Sequence, residues 1–157
     1  MPSGPFAHVC LIVNDLEAAT EDWRRILGVL DPHQLEQPLV RYDDFEGGAD
    51  QMRWVTFVTD QGAEIQLVEP APGTPLARRL EKHGEHVHHL CFTTDDPRAA
   101  ARRLADAGLD VDADNTYSDP GMPWQVWTWV WPTSAHGVLV AVARPYRAVD
   151  GKWQDAS

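Results

Sequence analysis

Residues 6–15 read FAHVCLIVND, and residues 87–96 read VHHLCFTTDD. The two stretches align at a single offset of 81 residues, and one offset shared by several residue types indicates an internal repeat. We therefore expect two copies of one structural unit. The residues superimposed by this offset are His8 on His89, Cys10 on Cys91, and Asp15 on Asp96.

Each copy continues in the same order. Apolar residues recur at helical spacing over residues 16–27 and again over residues 97–107, and an aspartate suited to capping a helix precedes both runs. Gly28 and Gly108 follow them, and a glycine in the left-handed conformation commonly ends a helix. Each unit is therefore predicted to open with a strand and a helix.

Three strand-like runs follow each predicted helix, and the last runs align again, because residues 65–70 read IQLVEP and residues 140–145 read VAVARP. The pattern predicts an α+β fold of two βαβββ half-repeats in a single domain, residues 1–157. We place these strands at 39–42, 53–59 and 64–68, and then near Val111, at 125–131 and at 137–143. The predicted segments are a first unit at 6–70, a connector at 71–85 with a helix at 74–83, a second unit at 86–145, and a polar, loosely held tail at 146–157.

Composition limits the classes of function. The chain has 157 residues, 43% of them hydrophobic, and a formal net charge of −11, which disfavours binding to nucleic acid or to an anionic membrane. No apolar run reaches the roughly 18 residues of a membrane-spanning helix, and the first residues lack the pattern of an export signal. We expect a cytoplasmic protein whose two cysteines are buried free thiols.

Strand alternation predicts a polar site. Because successive side chains point to opposite faces, His8 lies on the face away from the predicted helix, and the repeat places His89 on the equivalent face. Glu64 and Gln66 share a face in the same way, opposite apolar neighbours. Imidazoles and carboxylate or amide oxygens bind zinc, nickel, cobalt and manganese. Histidines that are merely hydrogen-bonded are the alternative.

Other residues are candidates on weaker grounds. His86 lies at the entry of its strand, and His88 alternates onto the face opposite His89. Trp127, Trp129 and Trp131 share one strand face, where indoles form an apolar wall for a ligand or, alternatively, a packed core or a dimer contact. A loop of carboxylates either is solvated or covers the site; its members are Asp43, Asp44, Glu46 and Asp50 around Gly47 and Gly48.

These motifs resemble the vicinal-oxygen-chelate superfamily, which includes glyoxalase I, extradiol dioxygenases, fosfomycin and bleomycin resistance proteins, and, most similar here, the methylmalonyl-CoA epimerases. The resemblance covers nearly all of residues 6–145. It is carried by HVCLIVNDLEAA at 8–19, EIQLVEP at 64–70 followed by TPLA at 74–77, HHLCF at 88–92, and WPTSAHGVLV at 131–140.

The resemblance implies one metal ligand from each of four strands, at His8, Gln66, His89 and Ala141. The family has a glutamate at the fourth position, and a methyl group can neither coordinate a metal nor accept a proton. A divalent cobalt, nickel, zinc or manganese ion would therefore be held by three residues. We expect the missing acid to be supplied either by Glu64 or by a carboxylate of the loop at residues 43–46 that covers the opening.

Two functions follow from the resemblance. One is an isomerase- or lyase-like enzyme that moves a proton next to a carbonyl, including that of an acyl thioester, and that has diverged from the true epimerases. Its expected catalytic residues are His8, His89 and Glu64. The other is a metal-free binding or resistance protein, or a natural-product tailoring enzyme, with an aromatic cleft. In either case we expect a homodimer and a small-molecule ligand bound by Trp127, Trp129 and Asp43.

Overall fold

The computed structural model describes residues 1–43 and 51–157. Each half contributes one strand, one helix and three further strands, and a short helix connects the halves. In the first half these are β1 Phe6–Ile12, α1 Leu16–Leu30, β2 Val40–Tyr42, β3 Met52–Phe57 and β4 Glu64–Pro70. The connector is α2 Pro75–His83, and the second half has β5 His86–Thr93, α3 Pro97–Asp106, β6 Tyr117–Asp119, β7 Met122–Val130 and β8 Val140–Ala143.

The eight strands form one sheet in the order β2-β3-β4-β1-β5-β8-β7-β6. The order is symmetric about its centre, where β1 and β5, the first strands of the two halves, pair antiparallel. Each of them also pairs in parallel with the last strand of its own half, β1 with β4 and β5 with β8. The predicted α+β fold of two βαβββ half-repeats is confirmed.

The two faces of the sheet carry different cores. On one face, Leu67 and Phe57 pack with Leu16 and Leu27 of α1. We call the opposite face the inner face; Cys10, Ile12 and Ala141 are among the buried residues that line it. Both cysteines are buried and free. The predicted alternation of β1 is therefore seen in the packing.

Two β-bulges interrupt the central strand pair at equivalent positions of the repeat. Ala7 is the extra residue in β1, and His88 is the extra residue in β5, as the pairs on either side of each residue show. A bulge places two residues of one strand opposite a single residue of its partner and re-aims side chains. The prediction that His88 lies on the other face of the sheet from His89 is therefore wrong. Its Nδ1 atom is 2.8 Å from Nδ1 of His89.

Helix α1 runs past the glycine that was expected to end it. Gly28 stays helical, and the helix ends only before Pro32, with Asp31 in a non-helical conformation as its C-cap. A proline disfavours helical geometry in the residue that precedes it, which explains this end point. The prediction for Gly108 is confirmed, because its φ is +88° just beyond α3.

The second half differs from the prediction around its second strand. Val111 makes only an isolated bridge to Val130, and the strand is β6, Tyr117–Asp119, which forms a hairpin with β7. The Asp119 carboxylate accepts a hydrogen bond from the Gly121 N–H at 2.7 Å and thereby stabilises the turn. Aspartate favours tight turns through such side chain–backbone bonds, and the hairpin therefore forms at Asp119.

The expectation of a loosely held tail is wrong. Residues 146–157 form a second antiparallel pair, β9 Tyr146–Val149 and β10 Lys152–Asp155, which we call the C-terminal hairpin. Asp150 and Gly151 both have positive φ at its turn, as a tight hairpin turn requires. The hairpin is held because Tyr146 and Trp153 are buried in the core of the inner face.

Among the described residues, no helix has the length and apolar character to cross a bilayer.

The two glycines at the helix ends predict opposite responses to alanine. Gly28→Ala should raise the free energy of unfolding by about 0.5–1 kcal/mol, because a new Cβ meets only Leu35 Cδ1 at 3.8 Å and helical backbone favours alanine. Gly108→Ala should lower it by about 1 kcal/mol, since alanine is strained at φ +88°. Urea denaturation of both variants measures the difference, and effects of the same sign would contradict these conformations.

Candidate functional site

A pair of histidines occupies the seam between the two halves. His8 of β1 and His89 of β5 bring their Nε2 atoms to 3.1 Å, with the ring planes at 68° to one another. His8 is 5% exposed, and His89 is partly buried. The repeat had predicted equivalent positions for these residues, and the antiparallel pairing of the two first strands brings their side chains into contact.

Nδ1 of His8 is connected through one hydroxyl group to a buried carboxylate. Nδ1 of His8 lies 2.8 Å from the hydroxyl of Tyr146, and this hydroxyl donates to Oε1 of Glu64 at 3.0 Å. The second oxygen, Oε2, accepts from the Thr59 N–H at 3.0 Å. Glu64 is only 1% exposed, and its carboxylate is therefore held on both sides rather than free to swing toward Ala141.

On the other side of the pair, the hydrogen-bonded chain continues to His88. Nδ1 of His89 faces Nδ1 of His88, as a result of the bulge in β5. Four contacts thus join five side chains across the sheet. The order of the chain is His88, His89, His8, Tyr146 and Glu64.

Burial shifts the pKa values of the side chains in this hydrogen-bonded series. Desolvation lowers the pKa of His8 to about 3 and that of His88 to about 4, and it holds the pKa of His89 well below its ordinary value, helped by the neighbouring imidazoles. Desolvation raises the pKa of Glu64 to about 7 against the opposing hydrogen bonds from Thr59 and Tyr146. The three imidazoles are therefore neutral at pH 7 and present lone pairs.

The residues present fit a metal ion only in part. Two nitrogens at 3.1 Å suit adjacent ligands of one ion, because metal–nitrogen bonds of ~2.1 Å at a right angle separate them by about 3 Å. Gln66 is buried, and its amide N–H donates a hydrogen bond to Thr56 Oγ1 at 3.3 Å. Its carbonyl oxygen is left as the atom available to bind a metal. Ala141 is 4% exposed and offers no ligand atom.

A second group of ligand atoms lies beside the first. Single donor atoms of Cys10, His88 and His89 lie within 4.8 Å of one another. Cys10 is completely buried, and desolvation raises the pKa of its thiol far above the usual range. This thiol therefore stays protonated at neutral pH and is a poor ligand without a metal to displace its proton.

Aromatic rings close over the histidine pair. Trp153 of the C-terminal hairpin stacks on Tyr146 with ring centroids 4.2 Å apart, and its centroid is 6.1 Å from that of His8. It also contacts Trp54 at 4.6 Å. On the side of the second half, Trp129 meets His89 edge-on at 5.6 Å.

The predicted tryptophan wall is formed in part. Trp127 and Trp129 lie half-buried against the core of the inner face, whereas Trp131 lies beyond the last residue of β7. Trp124 belongs to the same packed group and was missed. Thr128 between the two indoles is fully buried on the opposite face, as alternation requires.

Asp43 makes its contacts with Arg41 rather than with the histidine pair. It is exposed at the end of β2, and its carboxylate accepts two hydrogen bonds from Nε of Arg41, at 2.8 and 3.0 Å. The neighbouring loop candidates Asp44, Glu46, Gly47, Gly48 and Asp50 lie outside the described residues.

Sequence reasoning missed Tyr146, and it named His88 only as a weaker candidate on the face opposite His89. The Asp-Gly dipeptide at residues 150–151, between runs with alternating apolar residues, is a hairpin signal that would have shown the tail to be structured. No comparable signal marks the bulge at His88, because a bulge depends on the register of two distant strands.

The paired βαβββ half-repeats with a polar site at their seam define a class of two-module α+β proteins. The chain matches the model of the Glyoxalase/Bleomycin resistance protein/Dioxygenase superfamily over residues 7–124, and it belongs to this superfamily.

Epimerases are among its relatives. The chain is 34% identical over 110 residues to an ethylmalonyl-CoA/methylmalonyl-CoA epimerase of Cereibacter sphaeroides, a match that covers 69% of this chain and 74% of the relative. Its fold is similar to that of methylmalonyl-CoA epimerase from Mycobacterium tuberculosis, with a TM-score of 0.68, 21% identity and 92% of each chain covered.

The fold is also similar to that of a Streptomyces coelicolor methylmalonyl-CoA epimerase variant in complex with 2-nitronate-propionyl-CoA, with a TM-score of 0.64 and 23% identity. This match covers 90% of the present chain and 96% of the epimerase chain. At these identities the two structures support the fold alone.

The buried histidines predict a stability that falls in mild acid. His8, His88 and His89 have pKa values in the folded state below that of a free imidazole, so unfolding takes up protons below about pH 6.5. Glu64 acts in the opposite direction between about pH 4.5 and 7, and so does the exposed His33, whose pKa is raised by its hydrogen bond with Asp60, but the three desolvated imidazoles outweigh these two groups. The free energy of unfolding should therefore decrease from pH 7 to pH 5, by about 1.4 kcal/mol per pH unit for each net proton taken up.

Urea denaturation at a series of pH values measures this slope. His88→Gln should make the dependence shallower, because it removes one of the three imidazoles. A protein that becomes more stable between pH 7 and pH 5 would show that the histidines are not held neutral.

Proposed function

We propose that this protein is an enzyme that moves a proton next to the carbonyl group of a small molecule, the carbonyl of an acyl thioester included. The observation that carries the proposal is the buried pair of neutral imidazoles, His8 and His89, joined through Tyr146 to the carboxyl group of Glu64. The epimerase relative supports the acyl-thioester class, since its name specifies acyl-CoA substrates.

The pair supplies both partners of a proton transfer. Of two neutral imidazoles with facing Nε2 atoms, one accepts a proton while the other donates one. His8 is assigned as the base because Glu64, at the end of its hydrogen-bonded chain, offsets the positive charge that His8 gains. His89, whose Nε2 proton lies against Nε2 of His8, is assigned as the group that returns a proton to the carbon.

Replacement of His8 tests this assignment. His8→Ala should reduce, by at least about 100-fold, the rate at which solvent deuterium enters the α-position of methylmalonyl-CoA or ethylmalonyl-CoA, since a positioned general base contributes on that scale. The measurement is mass spectrometry of the recovered thioester. His86→Ala is the matched control, because His86 lies on β5, the strand that pairs with β1, but its ring nitrogens contact the carbonyl of Gly84 and Nε of Arg79 rather than His8 or His89.

Exchange that is equally fast in both variants would contradict a role for His8. Tight binding of the thioester with no exchange in the unmodified protein would favour the second candidate, a binding or resistance protein. The observation behind that candidate is the aromatic enclosure formed by Trp153, Trp54 and Trp129 around the histidines.

We also propose that a divalent cobalt, nickel, zinc or manganese ion, where bound, is held by His8, Gln66 and His89; such an ion would occupy the Nε2 lone pair of His8, so His8 acts as the base only in the metal-free protein. Such an ion would polarise the substrate carbonyl. With three protein ligands it would be bound more weakly than by the four that the superfamily uses. Isomerase rather than lyase chemistry is favoured by the epimerase relative, while the homodimer and the cytoplasmic location stay predictions.

The fourth position offers a direct test of the metal. Ala141→Glu should raise the affinity for zinc or cobalt at least about 10-fold, because it adds an anionic ligand beside the histidine pair. Competition against a chelator measures the affinity, and thermal unfolding with and without metal gives a second readout, since an unpaired buried carboxylate is destabilising.

The double variant His8→Ala/Ala141→Glu is the control. It should bind no more tightly than the unmodified chain. Equal affinity of Ala141→Glu and the unmodified protein would contradict the placement of the ion at these four positions.

A further inference from the structure

We infer that Tyr146 is a positioning residue that fixes the neutral tautomer of His8 with its proton on Nδ1, so that the single lone pair of Nε2 points to the side that faces His89. The inference rests on the proposed role of His8 as a base. It adds a residue from the C-terminal hairpin, which lies outside residues 7–124, the part of the chain that the superfamily model matches.

Tyr146 is placed to control the ring of His8. Among the described residues, its hydroxyl is the only hydrogen-bond partner of His8 Nδ1, at 2.8 Å. Tyr146 is 1% exposed, so water does not replace this contact. Its own ring is fixed by stacking on Trp153 at 4.2 Å, and Trp153 in turn packs on Trp54.

The direction of the hydrogen bonds follows from Glu64. Its Oε2 accepts from the Thr59 N–H, and an ionised carboxylate can only accept, so the single proton of the Tyr146 hydroxyl is directed to Oε1. The tyrosine oxygen is then left as an acceptor toward His8. While Glu64 is ionised, Nδ1 of His8 must therefore carry a proton, and Nε2 must be the unprotonated nitrogen.

This arrangement selects which nitrogen reacts. Nε2 faces the second half of the repeat, 3.1 Å from Nε2 of His89, whereas Nδ1 faces the carboxylate of Glu64 through the tyrosine. A histidine with the opposite tautomer would present an N–H at this position and could not act as a base there. The hydroxyl of Tyr146 thus keeps the ring in its reactive form without touching the substrate.

Nuclear magnetic resonance tests the tautomer directly. Long-range proton–nitrogen correlations of the ¹⁵N-labelled full chain at pH 8.5, where Glu64 is ionised, should show His8 protonated on Nδ1. Tyr146→Phe keeps the stacked ring but removes the hydroxyl, so His8 should lose this preference. Tyr117→Phe is the control, because Tyr117 is 40% exposed and donates instead to Asp112.

Glu64→Gln gives an independent test in which Tyr146 is retained. The amide oxygen can keep the hydrogen bond from Thr59, which turns the amide N–H toward Tyr146 and makes its hydroxyl donate to His8. His8 should then switch to the tautomer protonated on Nε2. This variant keeps the aromatic packing and so guards against a Tyr146→Phe protein that fails to fold.

Turnover gives the kinetic readout. Tyr146→Phe should lower kcat for deuterium exchange about 10- to 100-fold and change KM less than about twofold, because the hydroxyl orients the base and does not bind substrate. A purely structural role would instead move KM and the unfolding midpoint and leave the tautomer of the folded protein unchanged.

The outcomes separate this inference from the proposed function. His8 protonated on Nε2 in the unmodified protein, or an unchanged tautomer in both Tyr146→Phe and Glu64→Gln, would overturn the role of Tyr146 whatever the activity. His8 protonated on Nδ1, with the expected changes in both variants, supports that role. If the unmodified protein shows that tautomer but exchanges no substrate proton, only the proposed function fails.

Discussion

The antiparallel pairing of β1 with β5 is the constraint on which the site depends. This pairing joins the two halves and brings the Nε2 atoms of His8 and His89 to 3.1 Å. Equivalent bulges at Ala7 and His88 interrupt it symmetrically. A slip of one residue in a strand turns its side chains to the other face, so this register decides whether the two histidines meet at all.

Burial at this seam gives the histidines their chemistry. Polar groups removed from water are stable only when they are hydrogen-bonded, and here the five side chains from His88 to Glu64 satisfy one another. The same desolvation keeps the imidazoles neutral and raises the pKa of Glu64. Ala141 offers no ligand atom beside these side chains, and Glu64 is joined to the histidine pair through Tyr146.

The part of this structure that could be predicted from sequence is the part that repeats or alternates. The offset of 81 residues was enough to predict both half-repeats and the partnership of His8 with His89, and strand alternation placed Glu64 and Gln66 on one face. The bulge at His88 and the docking of Tyr146 could not be predicted. Both depend on contacts between segments far apart in the chain, which leave no local pattern in either segment.

A double-mutant cycle between His8 and His89 tests most directly whether the pair acts as one unit. Deuterium exchange into the acyl thioester would be measured for His8→Ala, His89→Ala and the double variant. If each histidine needs the other, the double variant loses no more activity than the more damaging single variant, as for catalytic groups that act together. Losses that multiply would mean that the two histidines act independently, and would contradict this account.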